Sequence, residues 1–355
     1  MLGLSGGVDS AVAGLLLKEA GYDVIGAMLK LEGGEAENSC CNLAAQARAA
    51  EVAKRLEIPF VVLDEEKTFA EAVIRPYLEE HARGRTPNPC VLCNPFVKLA
   101  GLERLAERVG ADWIATGHYL RREGGRFFRG KDARKDQSYF LWKVPRTTLE
   151  KTLFPLGEFE KPEVRRIAEE AGLKVAKAPE SQNLCFVEND PKGFLARHLE
   201  LTPGPVVDIE TGEVIGRHQG AALYTVGQRR GLGLFKSHLE RYVVATDPEK
   251  NVVYVGPREA ATFTGLFARE PNYLVPPKDW PEEVSVQVRY RTQAVPARVV
   301  QADEENLELR FLQPVFAVAP GQSAVVYAGD ELLGGGVIEA PGESLLKTQA
   351  ASEKH

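Results

Sequence analysis

Apolar residues recur with alternating helical and strand-like spacing through the first half of the chain. The strand-like runs between the helices are short, and we expect the one at 59–63 to be buried. Alternating strands and helices are typical of an α/β fold with a doubly wound parallel sheet, which is the fold class predicted here. The spacing predicts helices at 9–20, 43–56, 66–82, 95–109 and 161–171 and strands at 2–4, 22–29, 59–63 and 112–116.

The spacing changes beyond about residue 202, where turn-forming residues separate strand-like runs. Turn sequences at 210–213 and 247–251 predict two hairpins in a small β-rich central domain. Five short strands with regular spacing predict a C-terminal antiparallel β-barrel. These strands are predicted at 284–290, 295–302, 307–312, 323–327 and 336–338. We expect domains at 1–200, 201–262 and 263–345, followed by an unstructured tail at 346–355.

The composition is that of a globular protein with sizeable cores, at 44% hydrophobic and 26% charged residues. No apolar run reaches the roughly 18 residues of a membrane span. The opening sequence MLGLSGG has neither the basic nor the apolar region of a secretion signal. We therefore expect a cytoplasmic protein that makes no membrane contact. In that compartment the five cysteines are expected to serve thiol chemistry or metal binding.

The glycine pair in the sequence SGGVDS, residues 5–10, lies between a short predicted strand and a predicted helix. Glycines allow a tight turn, and the N–H groups at the following helix start can bind phosphate oxygens. The sequence lacks the Gly-Lys-Ser/Thr ending of a Walker A loop. The alternative is an ordinary turn in which Asp9 or Ser10 caps the helix.

Two of the cysteines form a C-x-x-C pair, Cys90 and Cys93, in a loop predicted at 84–94. Two prolines stiffen this loop and place Cys93 near a predicted helix start, where a thiol pKa is lowered. Cys185 stands alone in the sequence SQNLCF. The alternatives are half of a zinc site, completed by Cys40, Cys41 or a histidine, and a small buried apolar residue at Cys185.

Several motifs occur together in one order along nearly the whole chain: SGGVDS, GRTPNPCVLCN, ATGHY, KDQSYFL, SQNLCF and HQG followed by TVGQRRGLG. In this set and order the chain resembles the bacterial tRNA-specific 2-thiouridylase family. The resemblance implies a Rossmann-like ATP pyrophosphatase domain, a small central domain and a C-terminal β-barrel. It implies ATP-dependent thiolation at C2 of the wobble uridine in tRNAs for Lys, Glu and Gln. ATP and Mg²⁺ as cofactors, the tRNA anticodon stem-loop and a sulfur-donor protein are implied with it.

The resemblance also implies roles for individual residues. Cys185 would carry the persulfide and Cys93 would be its partner, so that a Cys93–Cys185 disulfide forms during turnover. The ATP site would comprise Gly3, Leu4, Ser5, Gly6, Gly7, Val8, Asp9 and Ser10 at the phosphates, with Leu29 and Gly117 at the adenosine. The tRNA site would comprise Asn88, Pro89 and Cys90 around the target base, with His118, Lys135, Asp136, Gln137, Arg289, Tyr290 and Gln322 as further contacts.

The chain departs from the family pattern at Cys90, where many members carry Asp. A second chemistry follows from this difference, because three thiolates can hold three irons of a [4Fe–4S] cluster and leave one iron open to bind sulfide. Cys90, Cys93 and Cys185 form such a candidate set. Both routes stay open at the level of sequence, and we favour the persulfide route. Another ATP pyrophosphatase ligase and a zinc-containing RNA-binding protein are the further alternatives.

The net charge of −6 hides a basic segment at 121–151. This segment has ten Lys or Arg and four Asp or Glu, so its net charge is +6 while the rest of the chain carries −12. We expect it to track nucleic-acid phosphates. Tyr139, Phe140 and Trp142 are expected on a buried helix face, and His118 is as compatible with a structural role as with a site role.

Overall fold

The computed structural model describes residues 1–31, 43–178, 184–187, 190–236 and 240–345. Cys40, Cys41 and the predicted tail at 346–355 lie outside these ranges. The chain divides into two compact units. The first comprises Met1–Arg75, Pro89–Pro191 and Asp330–Leu332, and the second comprises Pro76–Asn88, Lys192–Gly329 and Leu333–His355.

The helices of the first unit follow the predicted spacing closely, with one displaced boundary. The helix expected at 95–109 starts at Pro89, because proline has no N–H to lose and is favourable at the first helical position. Segments of π-helix at Ala70–Ile74 and Asn94–Lys98 lie within the two longest helical stretches. The α-helices are α1 Val8–Glu19, α2 Leu43–Arg55, α3 Glu66–Phe69, α4 Arg75–Ala82, α5 Pro89–Cys93, α6 Leu99–Val109, α7 Arg146–Glu150, α8 Lys161–Glu170 and α9 Pro191–His198.

The described strands form three sheets. The first seven, all in the first half of the chain, are β1 Leu2–Gly3, β2 Gly26–Lys30, β3 Phe60–Asp64, β4 Ile114–Ala115, β5 Leu120–Glu123, β6 Arg126–Arg129 and β7 Thr152–Leu153. The remaining ten are β8 Gly204–Asp208, β9 Val214–His218, β10 Tyr242–Asp247, β11 Val252–Gly256, β12 Thr262–Tyr273, β13 Glu283–Gln287, β14 Val295–Ala302, β15 Asn306–Phe316, β16 Ser323–Ala328 and β17 Glu331–Pro341.

The parallel sheet of the first unit has the order β3-β2-β1-β4-β7 and confirms the predicted α/β class. Strand β1 is central, with Leu2 paired to Gly26 of β2 and to Ala115 of β4. Apolar residues of β1, α1 and α2 form the core beside it. The expectation that the strand at 59–63 is buried was wrong. Val61 and Val62 are 38% and 41% exposed because β3 is the edge strand of this sheet.

The second unit contains a four-stranded sheet of order β10-β11-β8-β9. Both predicted hairpins are confirmed, since β8 pairs antiparallel with β9 and β10 with β11. Val206, Val243, Val253 and Val255 are buried in its core. This sheet therefore has a hydrophobic core of its own.

The C-terminal strands form the predicted antiparallel barrel, which closes through the pairing of β12 with β17. The expectation of uniformly short strands was wrong. β12 has 12 residues and was not predicted, while β15 and β17 have 11 each. Bulges between Phe263 and Gly265 and between Arg269 and Asn272 interrupt the alternation of inward and outward side chains along β12. The sequence of β12 therefore lacks the regular pattern of a strand.

None of the helices in the described ranges combines the length and apolar character needed to cross a membrane.

Candidate active site

The glycine loop joins β1 to α1 at the centre of the parallel sheet. Gly6 has a positive φ of 74°, and a Cβ there would collide with the carbonyl oxygen of Ala45. Glycine is therefore required at this position. Gly7 is the N-cap of α1, and no side chain of the described residues caps this helix. The alternative in which Asp9 or Ser10 caps the helix is wrong, and the N–H groups at the start of α1 suit an anion.

Ser10 holds the loop in shape. Its buried hydroxyl donates to the carbonyl oxygen of Gly7 at 3.1 Å and accepts from the N–H of Ser5 at 3.2 Å. Leu4 and Val8 point into the core, so these two predicted ATP-site residues offer a ligand only their backbone. The loop is thus fixed by its own hydrogen bonds before any ligand arrives.

Two further predicted residues, Gly117 and Leu29, lie at the same end of the sheet. Gly117 follows β4, and a Cβ there would lie 2.8 Å from the backbone nitrogen of Ser10. Leu29 lies near the carboxyl end of β2 and is half-buried. β1 lies between β2 and β4, so the strand order reverses beside it. Open α/β sheets bind ligands at the carboxyl ends of their strands at such a point. The fold brings the predicted ATP-site residues to one edge.

Asp9 makes the strongest polar contacts of the loop. The Lys161 ammonium donates to both of its carboxylate oxygens, at 2.6 and 2.7 Å, and the Tyr119 hydroxyl donates to one of them at 2.8 Å. Arg48 of α2 donates to the carbonyl oxygen of Gly6 at 3.2 Å. Lys161, Tyr119 and Arg48 were given no role from the sequence. Lys161 lies 152 residues from Asp9, and no local pattern marks such a pair.

His118 is half-buried one residue after Gly117, and its Nδ1 lies 2.9 Å from the Thr116 hydroxyl. Burial, with a smaller contribution from the charge of Lys98, lowers the pKa of His118 to about 3. The imidazole is therefore neutral near pH 7. It can form hydrogen bonds in a site but cannot supply charge to a phosphate.

The depressed pKa of His118 makes stability depend on pH. Between about pH 6.5, where an unfolded histidine titrates, and pH 3, the unfolded chain binds more protons than the folded one. The free energy of unfolding should consequently fall as pH falls through this window, and His118→Gln should make that fall shallower. Urea unfolding at pH 7.5 and pH 5.5 measures both. Burial also lowers the pKa values of His81, His218 and the Met1 amino group, which contribute to the remaining slope. Identical slopes in variant and wild type would contradict this prediction.

The three described cysteines all belong to the first unit. Helix α5 begins at Pro89, so Cys90 lies in its first turn and Cys93 is its last residue. This helix continues through Asn94–Lys98 into α6, so its start lies four residues before Cys93, at Pro89, rather than at the predicted position 95. Cys93 is buried, whereas Cys90 and Cys185 are half-buried. Within the described ranges, no group of three or more Cys, His, Asp or Glu side chains is placed to hold a metal ion.

The basic segment contains the hairpin of β5 and β6, and several of its arginines have carboxylate partners. Arg121 contacts Glu123 and Asp330, and Arg126 binds the carboxylate of Glu331. Two of these carboxylates lie outside 121–151, so the sequence count overstates the charge available to a polyanion. Arg134 lies 3.9 Å from the carboxylate of Asp132, but its side chain is 85% exposed.

The Lys135-Asp136-Gln137 run begins at the end of a turn, and its side chains are largely engaged. Buried Asp136 accepts hydrogen bonds from the backbone of Gly130 and Ser138, the Ser138 hydroxyl and Arg129. Gln137 accepts one from the N–H of Tyr119 at 3.0 Å. An RNA contact by Asp136 would break these bonds. The nearby Tyr139 and Trp142 are buried as predicted, whereas Phe140 is only half-buried. The three lie on and just after a 3₁₀ turn at Ser138–Phe140 rather than on an α-helical face.

The remaining predicted tRNA contacts are distributed along the chain. Gln322 is buried and donates to the carbonyl oxygen of Thr86 at 2.6 Å, which is a structural use of its amide. Arg289 and Tyr290 follow β13 and are half-buried. Asn88 is half-buried and Pro89 buried, and their roles at the target base stay predictions, as do those of the other tRNA contacts.

The central strand, its glycine loop and the uncapped start of α1 define a nucleotide-binding α/β domain. Three family descriptions match the chain: tRNA methyl transferase HUP domain over residues 1–189, tRNA methyl transferase PRC-barrel domain over 192–257 and aminomethyltransferase beta-barrel domain over 263–338. The tRNA-specific 2-thiouridylase MnmA of Thermus thermophilus is 56% identical over 349 residues, which are 95% of this chain and 94% of that protein. Its counterpart in Deinococcus radiodurans is 50% identical over 344 residues, 94% and 90% of the two chains. The chain belongs to the tRNA-specific 2-thiouridylase family, which confirms the resemblance seen in the motifs.

Proposed function

We propose that this protein is an ATP-dependent tRNA-uridine 2-sulfurtransferase. The substrate is the wobble uridine in the anticodon stem-loop of tRNAs for Lys, Glu and Gln. The observation that carries the proposal is the glycine loop, which presents the start of α1 at the carboxyl edge of a parallel sheet in a chain of this family. Such a loop suits an enzyme that must hold the phosphates of ATP while pyrophosphate departs.

The first stage is adenylation of the uridine. Its O2 forms a bond to the α-phosphorus of ATP, and the bond from that phosphorus to the bridging oxygen breaks with its electron pair leaving on pyrophosphate. The oxygen at C2 thereby becomes part of an AMP leaving group. Unstacking the wobble base costs a few kcal/mol, which contacts with the anticodon loop must offset.

The second stage transfers sulfur from a persulfide on Cys185. Its terminal sulfur attacks C2, the C2–O2 bond breaks and AMP leaves. A Cys93 thiolate then attacks the Cys185 sulfur and cleaves the S–S bond, which leaves 2-thiouridine and a Cys93–Cys185 disulfide. A thiol reductant restores the two thiols, and a sulfur-donor protein renews the persulfide.

Two groups expected from the sequence do not fit the described side chains. A [4Fe–4S] cluster needs its three cysteine ligands grouped, and no such metal-binding group occurs in the described part of the chain. A magnesium ion on Asp9 would have to share a carboxylate that already accepts three hydrogen bonds. Asp9 is therefore not a free magnesium ligand, and the two stages of the proposed reaction need no cluster.

The function is tested with unmodified tRNA, ATP and a persulfide donor. Mass spectrometry should detect replacement of one oxygen by sulfur in the anticodon loop, together with release of pyrophosphate. Release of pyrophosphate without sulfur in the tRNA would favour another ATP pyrophosphatase ligase, and a methyl adduct would favour the activity named in the domain descriptions. Iron and acid-labile sulfide should be measured in protein prepared without oxygen. Turnover that requires iron would overturn the persulfide route.

The affinity for tRNA should depend on salt through the cations of the basic segment, of which Arg134 is exposed and Lys135 is half-buried. The double variant Arg134→Ala/Lys135→Ala should lower the log–log salt slope by about 0.7–0.9 for each phosphate that it no longer binds. The matched control is Arg121→Ala/Arg126→Ala, which removes two guanidinium groups bound to carboxylates and should change the slope little. Filter binding from low to high salt measures both slopes. Equal slopes in the first variant and the wild type would show that this turn does not bind phosphate.

A further inference from the structure

The carboxylate of Asp9 is nearly saturated by donors from the chain itself. Its two oxygens offer about four acceptor positions. Lys161 fills two of them and the Tyr119 hydroxyl fills a third. In a site built for phosphates, the acidic side chain is thus already paired with a cation.

Lys161 is held firmly at this position. It is the first residue of α8, and its backbone N–H donates to the carboxylate of Asp132 at 3.0 Å. A capping box between Glu160 and Glu163 fixes the same end of the helix. The side chain of Lys161 is only 8% exposed, and a buried ammonium is costly unless it is paired.

Tyr119 is fixed as well. Its ring lies 5.9 Å from the Lys161 ammonium, and its backbone exchanges hydrogen bonds with Gln137 at 3.0 and 3.1 Å. Asp9 therefore sits between two donors that are each anchored elsewhere in the same unit. This arrangement orients the ammonium at the start of α1.

A metal ion on Asp9 would conflict with this arrangement. Mg²⁺ requires oxygen ligands at about 2.1 Å, which would bring a divalent cation next to the Lys161 ammonium. Two cations at one half-buried carboxylate repel each other strongly. Either the lysine must leave, against its backbone anchor, or the metal does not use this carboxylate.

We propose that Lys161 is the phosphate-directed cation of the ATP reaction and that Asp9 acts through it as a positioning residue. The proposal rests on the proposed function and names a residue that function did not assign. As the bond to the leaving pyrophosphate breaks, negative charge grows on its oxygens, and an ammonium fixed at the helix start stabilises that charge. The step requires no proton transfer from Lys161.

The test compares Lys161→Met with Lys161→Arg and with the control Lys174→Met. Lys174 lies in the same unit and pairs with Glu51, but its side chain is 81% exposed. Three quantities are measured in the full-length protein: the Kd of a non-hydrolysable ATP analogue in EDTA and in Mg²⁺, the rate of pyrophosphate release with tRNA, and the melting temperature.

Lys161→Met should weaken analogue binding at least about tenfold in EDTA, which is about 1.4 kcal/mol. Pyrophosphate release should slow by about a hundredfold or more, since a preorganised charge is removed. Lys161→Arg should recover part of both losses, and Lys174→Met should match the wild type. If Lys161→Met does not fold, Asp9→Asn carries the test, because weaker binding in EDTA is expected only if Asp9 acts through Lys161.

Unchanged affinity in EDTA with a loss confined to Mg²⁺ would overturn the proposal and assign Asp9 to the metal. A lower melting temperature of Lys161→Met with normal affinity and turnover would also overturn the proposal. Lys161 would then only stabilise the fold. If the wild type released no pyrophosphate at all, the proposed function would fail, while the analogue affinity in EDTA would still decide the role of Lys161.

Discussion

Cys185→Ser should abolish thiolation of tRNA and leave ATP-dependent pyrophosphate release largely intact. A serine hydroxyl cannot carry a persulfide, so the sulfur-transfer stage loses its carrier while the phosphate loop is untouched. The thiolation rate should fall by roughly a thousandfold or more, as is usual when an obligatory nucleophile is removed. Mass spectrometry of the tRNA and a pyrophosphate assay on the same samples separate the two stages.

The comparison for this prediction is Cys90→Ser, at a second half-buried cysteine of the same unit, which is predicted to lie at the target base and not to carry sulfur. The persulfide route needs one sulfur carrier and one resolving thiol, so Cys90→Ser and Cys90→Asp should both retain substantial thiolation. Wild-type thiolation by Cys185→Ser would contradict the proposed chemistry. Joint loss of iron and thiolation in Cys90→Ser would instead support the cluster.

Asp9→Ala should reduce pyrophosphate release by about a hundredfold or more in a protein that remains folded. The change leaves the buried Lys161 ammonium without its carboxylate and removes the acceptor of the Tyr119 hydroxyl. A merely capping role is not the cause of this loss, because no side chain of the described residues caps α1. Circular dichroism and melting establish the fold, and a continuous pyrophosphate assay gives the rate.

The conservative counterpart is Asp9→Asn, which keeps the shape of the side chain and an acceptor oxygen but loses the charge. We expect its rate to lie between those of Asp9→Ala and the wild type. Full activity in a folded Asp9→Ala protein would remove the functional role from Asp9 and with it the role inferred for Lys161.

Local sequence was sufficient to predict the glycine loop and most of the helices. Gly6 and Gly7 follow a strand and precede a helical period, and each of these signals lies within a few residues. The start of helix α5 was harder to predict from the sequence. Pro87 and Pro89 suggest a loop, even though a proline suits the first helical position. Strand β12 was missed because Arg269-Glu270-Pro271-Asn272 interrupts its apolar alternation at a bulge.

Contacts between distant positions could not be predicted from the sequence. Lys161 reaches Asp9 across 152 residues, and Arg126 reaches Glu331 across 205. The first pair added a cation to the site, and the second reduced the charge expected for the basic segment. Both depend on the tertiary fold, which no local window of residues contains.

The closure of the C-terminal barrel limits how this part of the protein can recognise a partner. Each of the described barrel strands β12–β17 is paired on both sides, because β12 pairs with both β15 and β17. A partner therefore finds no open edge among β12–β17, and added backbone pairing is left to β5, the end strand that the same sheet reaches through β6. Specificity at the barrel must come from side chains and connecting loops, such as the one that carries Arg289 and Tyr290. Such loops can change their sequence, and thus the preferred ligand, without disturbing the strands that support them.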